Sequence, residues 1–281
     1  MPRPARTFLF TAAAMLAFAG NSLLCRAALG PLAMDAADFT ALRLASGAAM
    51  LVLLLRLRQP ARALAGNWPS ALALLAYAAA FSFAYLQLTT ATGALLLFGA
   101  VQIGMTGFGL WRGERLAPLQ WLGLATALGG LLVLLAPGLT APPWQAASLM
   151  LTAGLSWAAY SLRGRSGGGD ALAVTAGNFL RAAPLALLMM LLLRSGRAMS
   201  VEGIACALAS GALASGVGYA LWYSALPALR ASTAATVQLS VPVIAALGGL
   251  LWLGEAPGQR LLAAGLAILA GIALVTRARG N

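Results

Sequence analysis

Ten apolar segments, each near 20 residues long, follow one another along the 281-residue chain. A helix of about 20 apolar residues crosses the hydrocarbon core of a bilayer. Strands are disfavoured because the segments lack sustained alternation of apolar and polar residues. Since backbone groups in hydrocarbon must be hydrogen-bonded internally, we expect an all-α polytopic membrane protein with ten transmembrane helices. The predicted spans are 7–25, 39–57, 69–88, 91–111, 118–136, 145–163, 171–193, 201–224, 232–252 and 259–276.

The composition points to lipid as the main solvent. Hydrophobic residues make up 61% of the chain and charged residues 9%, too few polar groups to cover a water-soluble globule. The net charge of +12 comes from scattered arginines that form no basic face, so we expect no nucleic-acid partner. Two distant cysteines, Cys25 and Cys206, and the absence of histidine predict no metal site and no cofactor.

Two passages of the sequence resemble each other at an offset of 141 residues, GLWRGERLAPLQWLG at 109–123 and LLWLGEAPGQRLLAA at 250–264. The matched pairs are Trp111 with Trp252, Gly113 with Gly254, Glu114 with Glu255, and Gly130 with Gly271. At an offset of 138, Ala41-Leu42-Arg43 aligns with Phe179-Leu180-Arg181. These matches divide the chain into halves 1–138 and 139–281, each with five predicted helices. Because five is odd, similar halves insert upside down relative to each other, an arrangement typical of alternating access about a central cavity.

The first apolar segment also resembles a secretory signal. It follows the basic stretch MPRPAR, and Ala17-Phe18-Ala19 resembles a peptidase site. A cleaved signal followed by nine helices is therefore an alternative, but cleavage would remove one helix of the repeat.

The arginines predict the orientation of the spans. With a cytoplasmic N-terminus, twelve arginines fall in inside loops and three in outside loops, which places both termini in the cytoplasm. The inside residues are Arg3, Arg6, Arg56, Arg58, Arg62, Arg112, Arg115, Arg163, Arg165, Arg230, Arg277 and Arg279, and the outside residues are Arg194, Arg197 and Arg260.

Three stretches resemble the two EamA-type repeats of the drug/metabolite transporter superfamily: WAAYSLRGR, ATGALLLFGAVQIGMTGFGLWRGERL and ASTAATVQLSVPVIAALGGLLWLGEAP. The resemblance covers nearly the whole chain and implies a five-plus-five inverted arrangement that exports small metabolites across a bacterial inner membrane. Within the superfamily, the chain is most similar to YddG-type exporters of aromatic and hydrophobic amino acids. It departs from the usual pattern at Ala19, where a tryptophan is common, and at Val101, where the second repeat has Pro242. We expect a monomer in the lipid bilayer with a small-molecule substrate.

Two arginines, Arg43 and Arg181, lie inside predicted spans and more than two residues from either end. Arg181 is near the middle of its helix, where a charge costs ~2.5–3.5 kcal/mol, so it either binds a substrate carboxylate or hydrogen-bonds to carbonyls. Arg43 lies about one turn into its helix, and we expect it to extend toward water in a structural role. Glu114 and Glu255 are expected to be structural, accepting hydrogen bonds or pairing with nearby arginines.

An aromatic substrate needs flat apolar surfaces and a few polar groups. The i, i+4, i+8 spacing of Tyr77, Phe81 and Tyr85 places them on one helix face, and buried amides supply polar groups. The predicted substrate-binding residues are Asn21, Tyr77, Phe81, Tyr85, Gln102, Trp157, Tyr160, Asn178, Arg181 and Gln238. The aromatic residues Tyr219, Trp222 and Tyr223, near a helix end, are more typical of an interfacial belt.

The six acidic residues all fall in loops or at helix ends, which favours facilitated diffusion or exchange over proton coupling. Glycines in helices 4 and 9, together with Pro242, predict that these helices cross near the centre and flex during gating. An enzyme is disfavoured because no nucleophile, base or metal site assembles. A channel is disfavoured because no filter segment is visible. Drugs and other metabolites remain alternative cargo.

Overall fold

The computed structural model describes residues 3–113, 115–138, 141–166, 170–196, 198–225, 228–229 and 237–278. Throughout these ranges the regular secondary structure is helical and contains no strand, as the sequence predicts. The helices are α1 (Arg3–Leu29), α2 (Ala36–Arg58), α3 (Trp68–Tyr85), α4 (Thr90–Trp111), α5 (Pro118–Leu135), α6 (Trp144–Ser166), α7 (Ala171–Leu193), α8 (Val201–Ala225), α9 (Ser240–Leu253) and α10 (Gln259–Ala278). The middle of α8, Ser210–Val217, is π-helical.

The outer surface of the helix bundle is apolar. Seven of the described helices, α1 to α5, α7 and α8, are long and apolar enough to cross a bilayer, and α9 and the Gln259–Val275 part of α10 are shorter apolar helices. Tryptophans that are more than half exposed lie at helix ends, where aromatic side chains meet the membrane interface: Trp68, Trp111, Trp121, Trp144 and Trp252. The chain is therefore a multi-pass membrane protein.

Side-chain caps set several helix starts. Each of these caps accepts a hydrogen bond from a backbone N–H of the first turn, which otherwise has no partner: Asp35 for α2, Asn67 for α3, Asp170 for α7 and Ser200 for α8. At the end of α9, Gly254 adopts a left-handed conformation with φ of 68°, which terminates the helix. The four caps thus fix where loops end, and Gly254 fixes where a loop begins.

Helices α5 and α10 pack through small residues. A Cβ at Gly123 would lie 2.6 Å from the carbonyl oxygen of Gly271, and one at Gly130 would lie 2.9 Å from that of Ala264. Adding the sequence offset of 141 converts position 123 into 264 and position 130 into 271. The offset of 141 therefore exchanges the two contacts, each of which places a glycine of one helix against the backbone of the other.

Three helices, α3, α7 and α8, pack along α2. This helix packs against α7 and α8, while α1 packs against α8 and α9, and α6 packs against α3 and α4. Gly211 of α8 lies directly against the backbone carbonyl of Arg43 and the hydroxyl of Ser46, so the two backbones approach closely. This close approach buries the middle of α2.

The predicted ninth span differs from the observed helix. α9 begins at Ser240, with Leu239 in a turn, and Pro242 lies in its first turn, where a missing N–H removes no helical hydrogen bond. The predicted span 232–252 has Pro242 at its middle, whereas α9 has it in the first turn. α4 packs against α9, with Thr90 at the start of α4 beside Gly249 near the end of α9. Residues 230–236 and Glu114 lie outside the described residues.

Candidate functional site

A continuous row of aromatic rings crosses the centre of the bundle. Tyr77 and Phe81 share one face of α3, with ring centroids 5.5 Å apart. Trp157 of α6 lies 4.9 Å from the Tyr77 ring and 5.2 Å from the Tyr219 ring of α8. Phe18 of α1 meets Tyr219 edge-on at 5.8 Å. Four helices therefore supply one aromatic surface, which suits a flat apolar ligand.

This surface lines a cavity. Its narrow central part is lined by Phe18, Asn21, Ser22, Tyr77, Phe81, Leu97, Phe98, Trp157, Ala214, Ser215, Tyr219 and Gln238. It continues into a wider space of about 230 Å³ that shares Phe18, Trp157, Tyr219 and Gln238. The wider space extends along the later turns of α4, α6 and α8 and reaches the start of α7 at Ala171.

Arg43 lies behind the cavity wall. Its guanidinium donates from Nη2 to the Tyr77 hydroxyl at 3.0 Å and from Nε to the Ser215 hydroxyl at 3.3 Å. It also lies over the rings of Tyr77 and Phe81, 5.1 and 5.0 Å from their centroids. Among the described residues, Nη1 has no hydrogen-bond partner.

The expectation that Arg43 extends toward water is wrong, since the residue is 1% exposed. Its position near one end of α2 does not lead to solvent because α7 and α8 cover that helix. A charge buried in this way is costly unless hydrogen bonds and a counter-charge compensate it. The contacts with Tyr77 and Ser215 supply part of that compensation.

Hydroxyl and amide groups extend this polar cluster across α1, α3 and α8. Asn21 donates from Nδ2 to the Tyr77 hydroxyl at 3.4 Å and accepts at Oδ1 from the Ser210 hydroxyl at 2.6 Å. Ser210 and Ser215 are five residues apart in the π-helical part of α8, and this spacing places them on one face of a π-helix. The π-helical geometry thus aims two hydroxyls of α8 at the site.

Arg181 and Asn178 are placed elsewhere, at the loop between α2 and α3. Arg181 donates from Nη1 to the carbonyl oxygens of Ala65 and Gly177, both at 2.8 Å. Asn178 accepts from the backbone N–H of Asn67 at 3.0 Å. For Arg181 the sequence left open a substrate carboxylate or backbone carbonyl groups as its partner, and the contacts observed are hydrogen bonds to carbonyl groups.

The structure brings five of the ten predicted substrate-binding residues together at the cavity: Asn21, Tyr77, Phe81, Trp157 and Gln238. The other five lie outside its lining: Tyr85, Gln102, Tyr160, Asn178 and Arg181. Gln102 donates to the Thr106 hydroxyl at 3.1 Å, and Tyr85 donates to the Thr90 carbonyl oxygen at 3.3 Å.

Two aromatic residues of α8 lie deeper than the sequence indicated. Tyr219 is 3% exposed and Trp222 is 8% exposed, and both line the wider cavity. The interpretation of these two as interfacial aromatics is wrong because the neighbouring α1 covers this part of α8. Sequence reasoning also missed Ser210 and Ser215, which lie in a run of small residues typical of helix packing.

An ionic cluster joins the ends of α1, α3, α4 and α9. Arg26 Nε pairs with Glu255 Oε1 at 2.7 Å, and its Nη1 donates to the Tyr85 carbonyl oxygen at 3.2 Å. Glu255 Oε2 accepts from the backbone N–H of Thr90 at 2.7 Å. Glu255 thus accepts a hydrogen bond and pairs with an arginine, as expected, but Arg26 is 229 residues away and sequence reasoning did not identify it.

Acidic residues at the start of α2 form a second polar cluster. The Asp38 carboxylate is buried, and Arg194 Nε lies 3.9 Å from it. Burial alone raises the pKa of the Asp35 carboxyl, but hydrogen bonds from the backbone N–H groups of Ser195 and Ala37 outweigh that effect and lower this pKa. Within the described ranges, no group of three or more His, Cys, Asp or Glu residues is placed to hold a metal ion.

Apolar helices around a buried aromatic cavity define a multi-pass membrane protein with a cavity of small-molecule size. The EamA-like transporter family model matches residues 144–277. "Uncharacterized protein PA1977" of Pseudomonas aeruginosa is 60% identical over 275 residues, an alignment that covers 98% of this chain and 96% of the relative. The residues matched by the family model lie in the second half of the chain, from α6 to α10. One crystal structure, with 21% sequence identity, matches with a TM-score of 0.69 over 99% of each chain, which shows a shared fold.

Proposed function

We propose that this protein is an EamA-like transporter that exports aromatic and other hydrophobic amino acids, or related small metabolites, from the cytoplasm by alternating access. The observation that carries the proposal is the cavity shared by the two halves. Residues 1–138 contribute Asn21 and Tyr77 to its lining, and residues 139–281 contribute Trp157 and Tyr219. Relative motion of the halves about such a shared site exposes it to each side of the membrane in turn.

The helix contacts support two inverted repeats with five spans each. In such a repeat, α1 corresponds to α6 and α4 corresponds to α9. The contact of α1 with α9 therefore corresponds to the contact of α6 with α4, and the structure contains both. The contact of α1 with α8 likewise becomes that of α6 with α3. The paired glycine contacts between α5 and α10 follow the same exchange. Ten spans and a division near residue 138 account for these symmetric pairs.

The arginine distribution supports cytoplasmic termini in a bacterial inner membrane. With that topology, the wider cavity lies at the cytoplasmic ends of α4, α6 and α8. The cluster of Arg26, Glu255 and Thr90 lies at the opposite, external ends of α1, α9 and α4. We therefore interpret the observed conformation as inward-facing, with its external side closed by this cluster, in a protein that works as a monomer.

The chemistry of the cavity supports an amino acid as cargo. The rings of Phe18, Trp157 and Tyr219 suit an aromatic or branched side chain. Asn21 and the Tyr77 hydroxyl offer hydrogen bonds to the polar end of the substrate. The Arg43 guanidinium behind Tyr77 and Ser215 is a single positive charge, which suits one carboxylate better than a polyanion such as a nucleotide sugar.

The experiment is counterflow in proteoliposomes that contain the full-length protein. Vesicles are preloaded with unlabelled amino acid, and the entry of labelled phenylalanine, tryptophan, leucine, threonine or glutamate is followed without a proton gradient. The proposal expects saturable accumulation of the aromatic and apolar members, lost in a Trp157→Ala variant. If none of these amino acids accumulates, the amino-acid cargo is wrong, and drugs or other metabolites are tested next. Flux that does not saturate would indicate a channel.

A further inference from the structure

Two hydroxyl groups at the cavity wall share an unusual environment. The hydroxyl oxygens of Tyr77 and Ser215 each accept a hydrogen bond from the same buried guanidinium, that of Arg43. The Tyr77 oxygen accepts a second bond from Asn21. A hydroxyl group that accepts in this way still has its own proton to donate, and a cationic donor strengthens that donation.

The protons of these hydroxyl groups have no acceptor within the described part of the protein. Tyr77 and Ser215 both line the cavity, so a ligand there can accept from both. Ser215 sits in the π-helical part of α8, and Tyr77 sits in the aromatic row of α3. Two helices, one from each half of the chain, thereby present a pair of donors.

The charge near this pair favours an anion. The lining residues of the described cavity include no Asp or Glu, and the ion pairs found in the described chain do not involve Arg43. Nη1 of Arg43 is buried and without a partner in the described chain. A bound carboxylate would balance this charge through the hydroxyl pair, whereas an ammonium group finds no acidic partner in the lining.

We propose that Tyr77 and Ser215, backed by Arg43, form a carboxylate subsite that accepts aromatic monocarboxylates whether or not they carry an α-ammonium group. This inference rests on the proposed function and deepens it by naming the chemical group that is recognised. The aromatic group of the ligand lies against Trp157 and Tyr219. Arg43 is a positioning residue, because it acts on the ligand through the two hydroxyls.

The test is calorimetric titration of the purified full-length protein in detergent with three ligands. 3-Phenylpropanoate carries the carboxylate without the amine, phenylalanine carries both groups, and 3-phenylpropanamide is the uncharged analogue. We expect the acid and phenylalanine to bind with Kd values within tenfold of each other and the amide at least tenfold more weakly. Binding of phenylalanine without binding of the acid would overturn the inference.

Variants separate recognition of the carboxylate from general damage. We expect a reduction of at least threefold in the preference for acid over amide in each of Tyr77→Phe, Ser215→Ala and Arg43→Gln. If these residues had only a structural role, each variant would raise the Kd of both ligands by the same factor. Ser82→Ala is the matched control and should leave the preference unchanged, because the hydroxyl group of this buried α3 serine donates to the Ala78 carbonyl oxygen and does not line the cavity. If Arg43→Gln does not fold, Tyr77→Phe still tests the subsite, because it removes the hydroxyl group and keeps the aromatic ring that packs against Trp157.

The two proposals fail in different ways. Counterflow of phenylalanine together with no binding of 3-phenylpropanoate contradicts the subsite and leaves the proposed function standing. Binding of 3-phenylpropanoate that depends on Tyr77, without counterflow of any amino acid, supports the subsite and contradicts the amino-acid cargo. A preference for acid over amide that is unchanged in all three variants contradicts the subsite.

Discussion

Arg26 and Glu255 form an ion pair, 2.7 Å from Nε to Oε1, between helix ends that are 229 residues apart in sequence. The pair joins the two halves of the chain, and the Glu255 carboxylate also accepts from the first N–H of α4 at Thr90. Both side chains are mostly buried, so solvent screens the pair less than it would screen an exposed one. The pair is therefore placed to hold the proposed external side closed.

We predict that Glu255→Gln opens that side. A hydrogen bond to a charged group contributes ~1.5–3 kcal/mol, so its loss should raise the open population about tenfold or more. Cys25, the buried neighbour of Arg26, reports the change in a Cys206→Ser background. Its rate of labelling by N-ethylmaleimide should rise by about the same factor.

Arg112→Gln is the control for this experiment. Arg112 lies at the opposite end of α4, over the Phe108 ring, and its replacement should leave labelling of Cys25 unchanged. Equal labelling of Cys25 in the Glu255→Gln variant and the parent would contradict a gating role for the ion pair.

A second prediction concerns Arg181. Because its side chain holds the carbonyl oxygens of Ala65 and Gly177, Arg181→Ala should destabilise the protein by ~1–3 kcal/mol. The melting temperature in detergent should fall, while the KM for counterflow changes less than threefold. A tenfold rise in KM without a fall in melting temperature would instead show that Arg181 contacts the cargo.

A third prediction uses the glycines between α5 and α10. In Gly123→Val, the new side chain meets the Gly271 carbonyl oxygen and Leu274, and overpacking of this kind costs ~1–3 kcal/mol. Thermal unfolding should detect the loss. Gly129→Val is the matched control in the same helix, since a Cβ at Gly129 has open space around it and the substitution should cost far less. Equal losses in the two variants would argue against the close crossing.

A fourth prediction concerns pH. The pKa of Asp35 is lower in the folded protein than in the unfolded chain, so the stability it contributes is present above the unfolded value of ~3.9 and is lost as the pH falls below it. The melting temperature of the parent should therefore fall more steeply below about pH 4 than that of Asp35→Asn. Parallel curves for the parent and Asp35→Asn would contradict this account.

The helices were predictable because lipid imposes simple rules on length and composition. The boundaries of α2, α4 and α7 lie within a few residues of the predicted spans, since apolar runs end where charges and helix breakers begin. The start of α9 was not predictable in this way, because no charged residue, glycine or proline stands between Arg230 and Ser240 to mark it.

The site was predictable only in part. Ring spacing on α3 indicated Tyr77 correctly as a cavity-lining residue, because periodicity along a helix determines which residues share a face. Depth along a helix did not identify the buried arginine. The position of a residue along a helix gives only its distance from the end of the span. The burial of Arg43 depends instead on the packing of α7 and α8, and the contacts of Arg181 depend on the loop at Ala65.

The π-helical part of α8 has a consequence for energetics. Matched residues of the two halves are 138 positions apart at Arg43 and 141 apart at Trp111, so the second half carries three more residues in between. The π-helical segment Ser210–Val217 lies between Arg181 and Trp252 and accommodates part of these three extra residues, since a π-helix has more residues per turn than an α-helix. Under the alternating access proposed above, inward-facing and outward-facing states built from unequal halves are not exchanged by the two-fold axis and differ in free energy. The empty protein would then rest on one preferred side, and binding of the cargo would have to supply the free-energy difference that brings it to the other.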